Sequence, residues 1–378
     1  MTSDTPVDHR FDERDRAFMQ RALELAEQAV GVSDPNPRVG CVLVDAHGAV
    51  IAEGSTQEAG RAHAEAAALG HANSLGRSVA GATAYVTLEP CAHHGRTPPC
   101  SDALIATGIA RAVISVVDPN PLVAGQGVAR MRAAGIQVDL GLLEGSAREL
   151  NIGFFSRMTR GLPWVRMKAA ASLDGCTALE NGASQWITGS AARTDGHAWR
   201  RRAGAVLTGV GTLIDDNPRL DVRLVKTSTQ PLRVVIDSRL QSPPEARLFD
   251  PPGRTLVFAA LEDPGRRALL EARQVEVVVR PGTAGKVDLA AVLRELGSRG
   301  INELHLEAGS KLNGSFMREG LVDEWLIYIA PKMLGLGRPI AAFGPLTELQ
   351  DAAALRFHSI DRVGDDLRIL ARPAAPQP

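Results

Sequence analysis

Between positions 14 and 30 the apolar residues fall at Phe18, Ala22, Leu25, Ala26 and Ala29, the spacing of one helix face. Pro35-Asn36-Pro37 breaks that pattern. An apolar stretch at 39–44 then reads as a short buried strand, Asp45-Ala46-His47-Gly48 has turn chemistry, and 50–52 returns as the second arm of a hairpin. An Ala-rich stretch at 63–75 predicts a helix, 84–88 and 113–117 predict strands, a helix over 125–134 stops at Gly135, and 136–140 is a further strand. The order α-β-β-α-β-α-β-α-β is that of an α/β layer fold. Residues 147–162 contain no clear strand and end in Gly161-Leu162-Pro163, which places a domain boundary there.

Beyond it the alternation restarts. Strands are expected at 165–170, 205–208, 232–236, 255–259, 275–279, 303–306 and 324–329, with helices at 190–203, 263–273, 288–298 and 311–319. This is a second α/β domain with a central sheet and flanking helices. The expected domains are 12–148 and 162–372. The first dozen residues and the closing Arg-Pro-Ala-Ala-Pro-Gln-Pro run read as loose tails.

Composition changes this picture little. The chain has 378 residues, 44% hydrophobic and 22% charged, with a formal net charge of −1. At about 150 residues per domain, two domains are expected. With no basic excess, counterion release cannot drive binding to a long polyanion, so nucleic acid is a poor partner. No apolar run is long enough for a membrane-spanning helix and the polar N-terminus lacks the apolar core of a secretion signal, so a cytoplasmic enzyme without membrane partners is expected. In that reducing compartment the four cysteines, Cys41, Cys91, Cys100 and Cys176, point to metal or catalysis rather than a disulfide scaffold.

The chemistry gathers around His63-Ala64-Glu65, Pro90-Cys91 and Cys100. One imidazole and two thiolates form a zinc donor set with a fourth position left open, as catalytic zinc requires. Glu65, two residues after His63 near a helix start, is placed to act as general base and acid without ligating the metal. The order H-x-E then P-C is that of zinc deaminases, though nine positions rather than three separate the two cysteines here. Taken singly these residues would be a surface His, a solvated Glu and small buried Cys; their joint order argues against that. His93 and His94, in the insert, are alternative imidazoles. Because His-Ala-Glu supplies ligand and base together, they are expected to line the substrate mouth instead. Asn36 is a candidate for the ribose or base edge, or a plain turn residue.

The run from Thr87 through Glu89-Pro90-Cys91-Ala92-His93-His94-Gly95-Arg96-Thr97-Pro98-Pro99 to Cys100, with Pro35-Asn36-Pro37-Arg38-Val39-Gly40, resembles the deaminase half of the bifunctional riboflavin-biosynthesis deaminase–reductases. The widened Cys spacing is usual in that family. Thr56 is a departure, standing where the family commonly has His. In the second half Lys168-Ala169-Ala170-Ala171-Ser172-Leu173-Asp174-Gly175, Ser184-Gln185-Trp186-Ile187-Thr188, Gly209-Val210-Gly211-Thr212, the segment 215–220, Val235-Ile236-Asp237-Ser238 and Glu307-Ala308-Gly309 resemble the family's reductase domain, in order.

The resemblance covers about residues 12–370 and implies a cytidine-deaminase-like three-layer domain followed by a dihydrofolate-reductase-like domain. It implies Zn2+ on His63, Cys91 and Cys100, with Glu65 catalytic. It further implies NADPH along Ala170, Trp186, Thr212, Asp216, Ser238 and the turn Gly309, Ser310, Lys311, Leu312, Asn313, Gly314, Ser315, and substrate on Ser184, Arg200, Leu220, Arg223 and Glu307. The expected substrate is a ribosylated diaminopyrimidinone 5′-phosphate, deaminated and then reduced at its ribosyl group. NADPH over NADH follows from the resemblance alone.

Physically, Arg200 and Arg223 can grip a phosphate bidentately, although each alone reads as a solvated face residue. Trp186 flanks the nicotinamide or is a core Trp, and Asp174 is an Asp-Gly turn. No Gly-x-Gly-x-x-Gly supports a Rossmann site. The stretch 309–315 lacks the Lys a P-loop needs, leaving a strand–turn–helix start that can offer amides to a phosphate or be a simple turn.

Two competing readings remain. One is a zinc deaminase of another nucleobase or nucleoside with an unrelated second domain. The other is a zinc-stabilised binding module, which would want a fourth ligand. A homo-oligomer and channelling between sites are left open.

Overall fold

The computed structural model describes residues 10–92, 98–121 and 123–374. It divides the chain into two compact units, 1–160 and 161–378.

The first unit runs α1 (Glu13–Glu27), β1 (Gly40–Val44), β2 (Val50–Ser55), α2 (Ala64–Ser74), β3 (Thr83–Val86), α3 (Cys100–Ala106), β4 (Arg111–Ile114), α4 (Gln126–Ala133), β5 (Gln137–Leu140), α5 (Glu144–Leu150) and α6 (Ile152–Arg160). Its sheet has the order β2-β1-β3-β4-β5. The β1 pairings are antiparallel and the β3–β4–β5 pairings parallel. Alternation along the strands builds two cores. Cys41, Leu43, Ala84 and Val86 face α2, α3 and α4, whereas Val42, Val44, Tyr85 and Val113 face α1.

This three-layer arrangement depends on two close approaches. A Cβ at Gly40 would sit 1.8 Å from the Ala22 carbonyl oxygen of α1, and one at Gly54 would sit 2.4 Å from the Ala64 carbonyl oxygen at the start of α2. The expected N-terminal tail is shorter than the sequence pattern suggests. Phe11 is buried, and Asp12 caps α1 in a reciprocal box with Asp15; the tail at 1–9 lies outside the described residues. Helices α5 and α6 extend the compact unit beyond position 148, burying Ala147 and Phe154 in its core.

The second unit runs β6 (Trp164–Ser172), β7 (Cys176–Leu179), α7 (Ser190–Arg202), β8 (Ala205–Gly209), α8 (Val210–Asp216), β9 (Leu232–Ile236), β10 (Thr255–Ala259), α9 (Pro264–Glu271), β11 (Val275–Val279), α10 (Leu289–Ser298), β12 (Glu303–Leu306), α11 (Ser310–Arg318), β13 (Glu324–Ala330), β14 (Gly337–Pro339), β15 (Leu355–Val363) and β16 (Asp366–Pro373). The sheet order is β11-β10-β9-β8-β12-β6-β13-β16-β15, with β7 and β14 pairing apart. From β11 to β13 every pairing is parallel; β16 and β15 add an antiparallel hairpin at one edge.

Parallel strands buried on both faces read as the near-continuous apolar runs that made them visible in the sequence. The C-terminal ends of β6, β12, β8 and β9 therefore share one edge of the sheet, the usual place for a ligand in such folds. The C-terminal hairpin, β7, β14 and α8 are elements the periodicity did not predict, and Arg372 and Pro373, expected in a tail, belong to β16.

Candidate active sites in the two units

In the first unit α2 starts at His63, which is its N-cap residue, and carries Glu65 in its first turn. Cys91 follows β3, and Cys100 opens α3. One ligand atom from each of His63, Cys91 and Cys100 lies within 4.8 Å of the other two. The His63 Nδ1 is 3.7 Å from Cys91 Sγ and 3.5 Å from Cys100 Sγ. Ordinary zinc bond lengths in a tetrahedron put nitrogen and sulfur ligands about 3.6 Å apart. The spacing and the donor set thus both fit zinc.

The surroundings favour a charged sulfur at Cys91. The Cys100 amide donates to Cys91 Sγ at 3.3 Å, and the Ser101 hydroxyl and amide both bind the Cys91 carbonyl. Hydrogen bonds from Cys100 and His63 hold the Cys91 thiol well below its ordinary range, whereas Cys100, sharing that contact and buried, is pushed up. The Glu65 carboxyl meets Cys100, and burial pushes it up to about 7, the range in which a carboxyl both takes and gives a proton near neutrality.

The turn before Cys91 is braced by a residue the sequence pattern did not single out. Glu89 is buried and accepts amide hydrogen bonds from Asp118, Gly125 and Val128 at 3.2, 2.9 and 3.1 Å, tying the Pro90-Cys91 segment to the start of α4. Helix α4 comes so close that a Cβ at Gly127 would lie 2.1 Å from the Pro90 carbonyl oxygen. Thr56 is buried with its hydroxyl on the Val39 backbone, and so is part of the scaffold. The backbone of Asn36 closes a turn on Ser33. His93 and His94 lie outside the described residues.

In the second unit the shared strand edge opens into a cleft of about 1750 Å³. Ala170, Trp186, Thr212, Asp216, Ser238, Gly309, Ser310, Lys311, Leu312, Asn313 and Ser315 line it, as do Ser184, Arg200, Leu220, Arg223 and Glu307. Gly314 stands apart: it faces the Ala342 carbonyl oxygen, 2.2 Å from where its Cβ would be, so its role there is to let that segment pack. Helix α11 begins at the cleft with no side-chain cap, and the Gly309 amide donates to the Thr212 hydroxyl at 3.1 Å. An uncapped helix start of this kind offers free amides to a phosphate.

Trp186 is 61% exposed on the cleft wall, with the Arg193 guanidinium 4.6 Å from its ring centroid, so it is not a core Trp. Arg200 is not a solvated face residue either. It is largely buried and clamps Glu307 through two hydrogen bonds of 2.5 and 2.9 Å. Lys168 lies 3.6 Å and His305 3.3 Å from the same carboxylate. Burial would raise the Glu307 carboxyl, but Arg200 and Lys168 hold it well below the usual range, as a fixed anion on the cleft floor. Arg223 pairs with Asp221 instead. Asp174 is the expected Asp-Gly turn, and it also accepts the Leu334 and Gly335 amides. Lys168 and His305 are the residues around Glu307 that sequence reasoning passed over, although Lys168 heads one of the quoted segments.

Two family models match the chain: the cytidine and deoxycytidylate deaminase zinc-binding region over residues 12–116, and the RibD C-terminal domain over 163–369. The riboflavin biosynthesis protein RibD of Escherichia coli K12 is 43% identical over 367 residues, covering 94% of this chain and 98% of that protein. The chain belongs to the RibD family. Among solved structures, RibD of Acinetobacter baumannii superposes with a TM-score of 0.86 at 38% identity, covering 96% of this chain and 99% of that one. A Thermotoga maritima diaminohydroxyphosphoribosylaminopyrimidine deaminase/5-amino-6-(5-phosphoribosylamino)uracil reductase gives 0.85 at 34% identity, with the same coverage. As a RibD protein the chain is a bifunctional enzyme of riboflavin biosynthesis, with a cytidine-deaminase-like zinc domain followed by a reductase domain that uses NADPH.

Proposed function

We propose that this chain hydrolytically deaminates 2,5-diamino-6-ribosylamino-4(3H)-pyrimidinone 5′-phosphate and then reduces the ribosyl group of the product to ribityl, working in the cytoplasm on small molecules. The observation that carries the reading is the convergence of His63, Cys91 and Cys100 beside the buried carboxyl of Glu65. Those three side chains would hold zinc. Bound there, zinc supplies the Lewis acidity that makes water nucleophilic at neutral pH.

Glu65 would take a proton from the attacking water as its oxygen bonds to the ring carbon bearing the exocyclic amine, the C=N π pair moving onto the ring nitrogen. The same carboxyl would deliver the proton to the exocyclic nitrogen; the ring-nitrogen pair then re-forms C=N as the exocyclic C–N bond breaks and ammonia leaves. In the second unit NADPH supplies the hydride. The chain's own residues orient the partners: the amides at the start of α11 toward phosphate, and the Lys168–Glu307–Arg200 array toward the polar edge of the substrate.

The test is turnover of the diaminopyrimidinone phosphate by the full chain, following ammonia release and NADPH oxidation separately. Glu65→Gln should keep one zinc per chain and lose deamination by roughly 10²–10⁴-fold. Unchanged deamination in that variant would remove Glu65 from the mechanism. Absence of NADPH oxidation with the deaminated product would remove the second half of the reading.

A further inference from the structure

The stretch between α8 and β9 carries two of the residues expected to meet substrate, Leu220 and Arg223, on backbone that is neither helix nor strand. Leu220, Asp221 and Val222 are nonetheless buried, and Leu220 is in the left-handed region with a φ of 50°. Buried backbone groups need partners, and a bulky residue keeps such a φ only where its surroundings fix it. Here side chains supply what a neighbouring strand would. Arg200 Nη1 donates to the Asp221 carbonyl at 3.0 Å, and the Arg223 amide donates to His197 Nδ1 at 3.2 Å. His197 and Arg200 lie three positions apart on α7, so one helix face fastens residues 221 and 223. Between them Gln230 takes both backbone groups of Val222. Its Oε1 accepts from the amide at 2.7 Å and its Nε2 donates to the carbonyl at 2.9 Å.

The His197 ring is suited to this hold. It is buried, and burial together with Arg200 and Arg223 pushes it down to about 4, so it is neutral near pH 7. With Nδ1 accepting from the Arg223 amide, the ring's own proton is on Nε2. A ring protonated on both nitrogens would offer no acceptor and would release the amide. Side-chain pairs add to the hold: the Asp221 carboxylate meets Arg219 at 2.9 Å and Arg223 at 2.5 Å. The Arg223 guanidinium, on the cleft wall, thus has its backbone and its side chain both fixed by the protein itself. The His197 ring also borders a pocket of about 320 Å³ with Lys168, Arg200 and Glu307, so the roles of its two nitrogens have to be separated by experiment.

We infer that His197 and Gln230 are positioning residues of the reductase site, which clamp the backbone of residues 220–223 and thereby aim Leu220 and Arg223 at the deaminated pyrimidine. This rests on the reading that Leu220 and Arg223 meet that substrate. Neither His197 nor Gln230 needs to touch it. A shift of about 1 Å in a binding group is enough to cost up to about 10²-fold, and loss of the clamp leaves the Val222 backbone groups and the Arg223 amide without these partners.

The test is steady-state NADPH oxidation by the full chain, with KM for the deaminated pyrimidine and KM for NADPH measured separately in each variant. Asparagine puts an amide oxygen near the place of Nδ1, and glutamine an amide nitrogen near that of Nε2. His197→Leu and His197→Gln should raise the pyrimidine KM about tenfold or more, with kcat and the NADPH KM within about threefold, whereas His197→Asn should stay within about threefold throughout. Gln230→Leu should raise the pyrimidine KM in the same way; should it not fold, the His197 series decides alone. Because His197 acts through Arg223, Arg223→Ala should raise the pyrimidine KM by a smaller factor in the His197→Leu background than in the wild type. Rescue by Gln and not by Asn would make His197 a direct substrate contact, and equal rises in both KM values would mean a general loosening of the cleft. Either result overturns the assignment, as does a wild-type pyrimidine KM in His197→Leu when Arg223→Ala raises it. If Arg223→Ala and Leu220→Ala leave that KM unchanged, it is instead the reading that this segment meets substrate that fails.

Discussion

Asp15 lies buried where α1 meets the sheet, and two side chains define its charge. Its carboxylate accepts from the Tyr85 hydroxyl at 2.7 Å and from Arg111 at 2.7 and 3.1 Å, while Arg111 also holds Asp139 at 2.7 Å. Burial alone would raise the Asp15 carboxyl; the Arg111 and Tyr85 hydrogen bonds outweigh it and hold the group below its ordinary range. A depressed carboxyl stabilises the fold fully above its unfolded value, about 3.9, and that contribution is lost as pH falls through the lower folded value. Asp15→Asn should therefore cost about 1–3 kcal/mol at neutral pH and flatten the loss of stability of the first unit below about pH 4, read by denaturant titration across pH. A variant whose acid limb matches the wild type would remove Asp15 from that balance. At this scale the sequence announced the residues whose spacing forms a chemical pattern, His63, Glu65, Cys91 and Cys100. It did not announce Glu89, because an isolated acid before Pro-Cys has no periodicity to mark its three amide partners.

Helix α2 presents both the imidazole and the carboxyl of the thiol site from its first turn, and it lies directly on β2 because residue 54 has no side chain. A Cβ there would sit 2.4 Å from both the Ala64 carbonyl oxygen and the Ala68 amide nitrogen. Those are backbone atoms that cannot swing aside, so the helix itself must move. Gly54→Ala should destabilise the first unit by about 1–3 kcal/mol and lower zinc content or deamination, measured by metal analysis and ammonia release. Normal stability and full deamination in that variant would show that α2 tolerates the shift. The elements that were legible are those with a clear period or a long apolar run: α1, α2, and the parallel strands of the second sheet. Those that were not are short, such as β7 and β14, or carry charge along their exposed side. Strand β15 (Leu355–Val363) is an edge strand with no buried position, so no apolar face marked it. The helices α5 and α6 fall where the absence of strands suggested only a boundary.

The residues of the thiol site come from positions 63–100 and those of the cleft from 168–338, and each unit has its own hydrophobic core. Stripping zinc with a strong chelator should therefore abolish deamination while NADPH oxidation with the already deaminated pyrimidine stays within about twofold, both followed on one preparation. Loss of both activities together would mean that the metal supports more than the first unit. The three donors also come from three separate places: the start of α2, the turn after β3, and the start of α3, with His63 lying 28 and 37 positions from the two cysteines. No single local segment can assemble them. During synthesis a nascent chain with only its early helix and hairpin formed has the imidazole and not the sulfurs, so high-affinity capture of the ion waits until the third layer has docked. The moment of metal uptake then becomes a clock for completed tertiary assembly of this half of the protein.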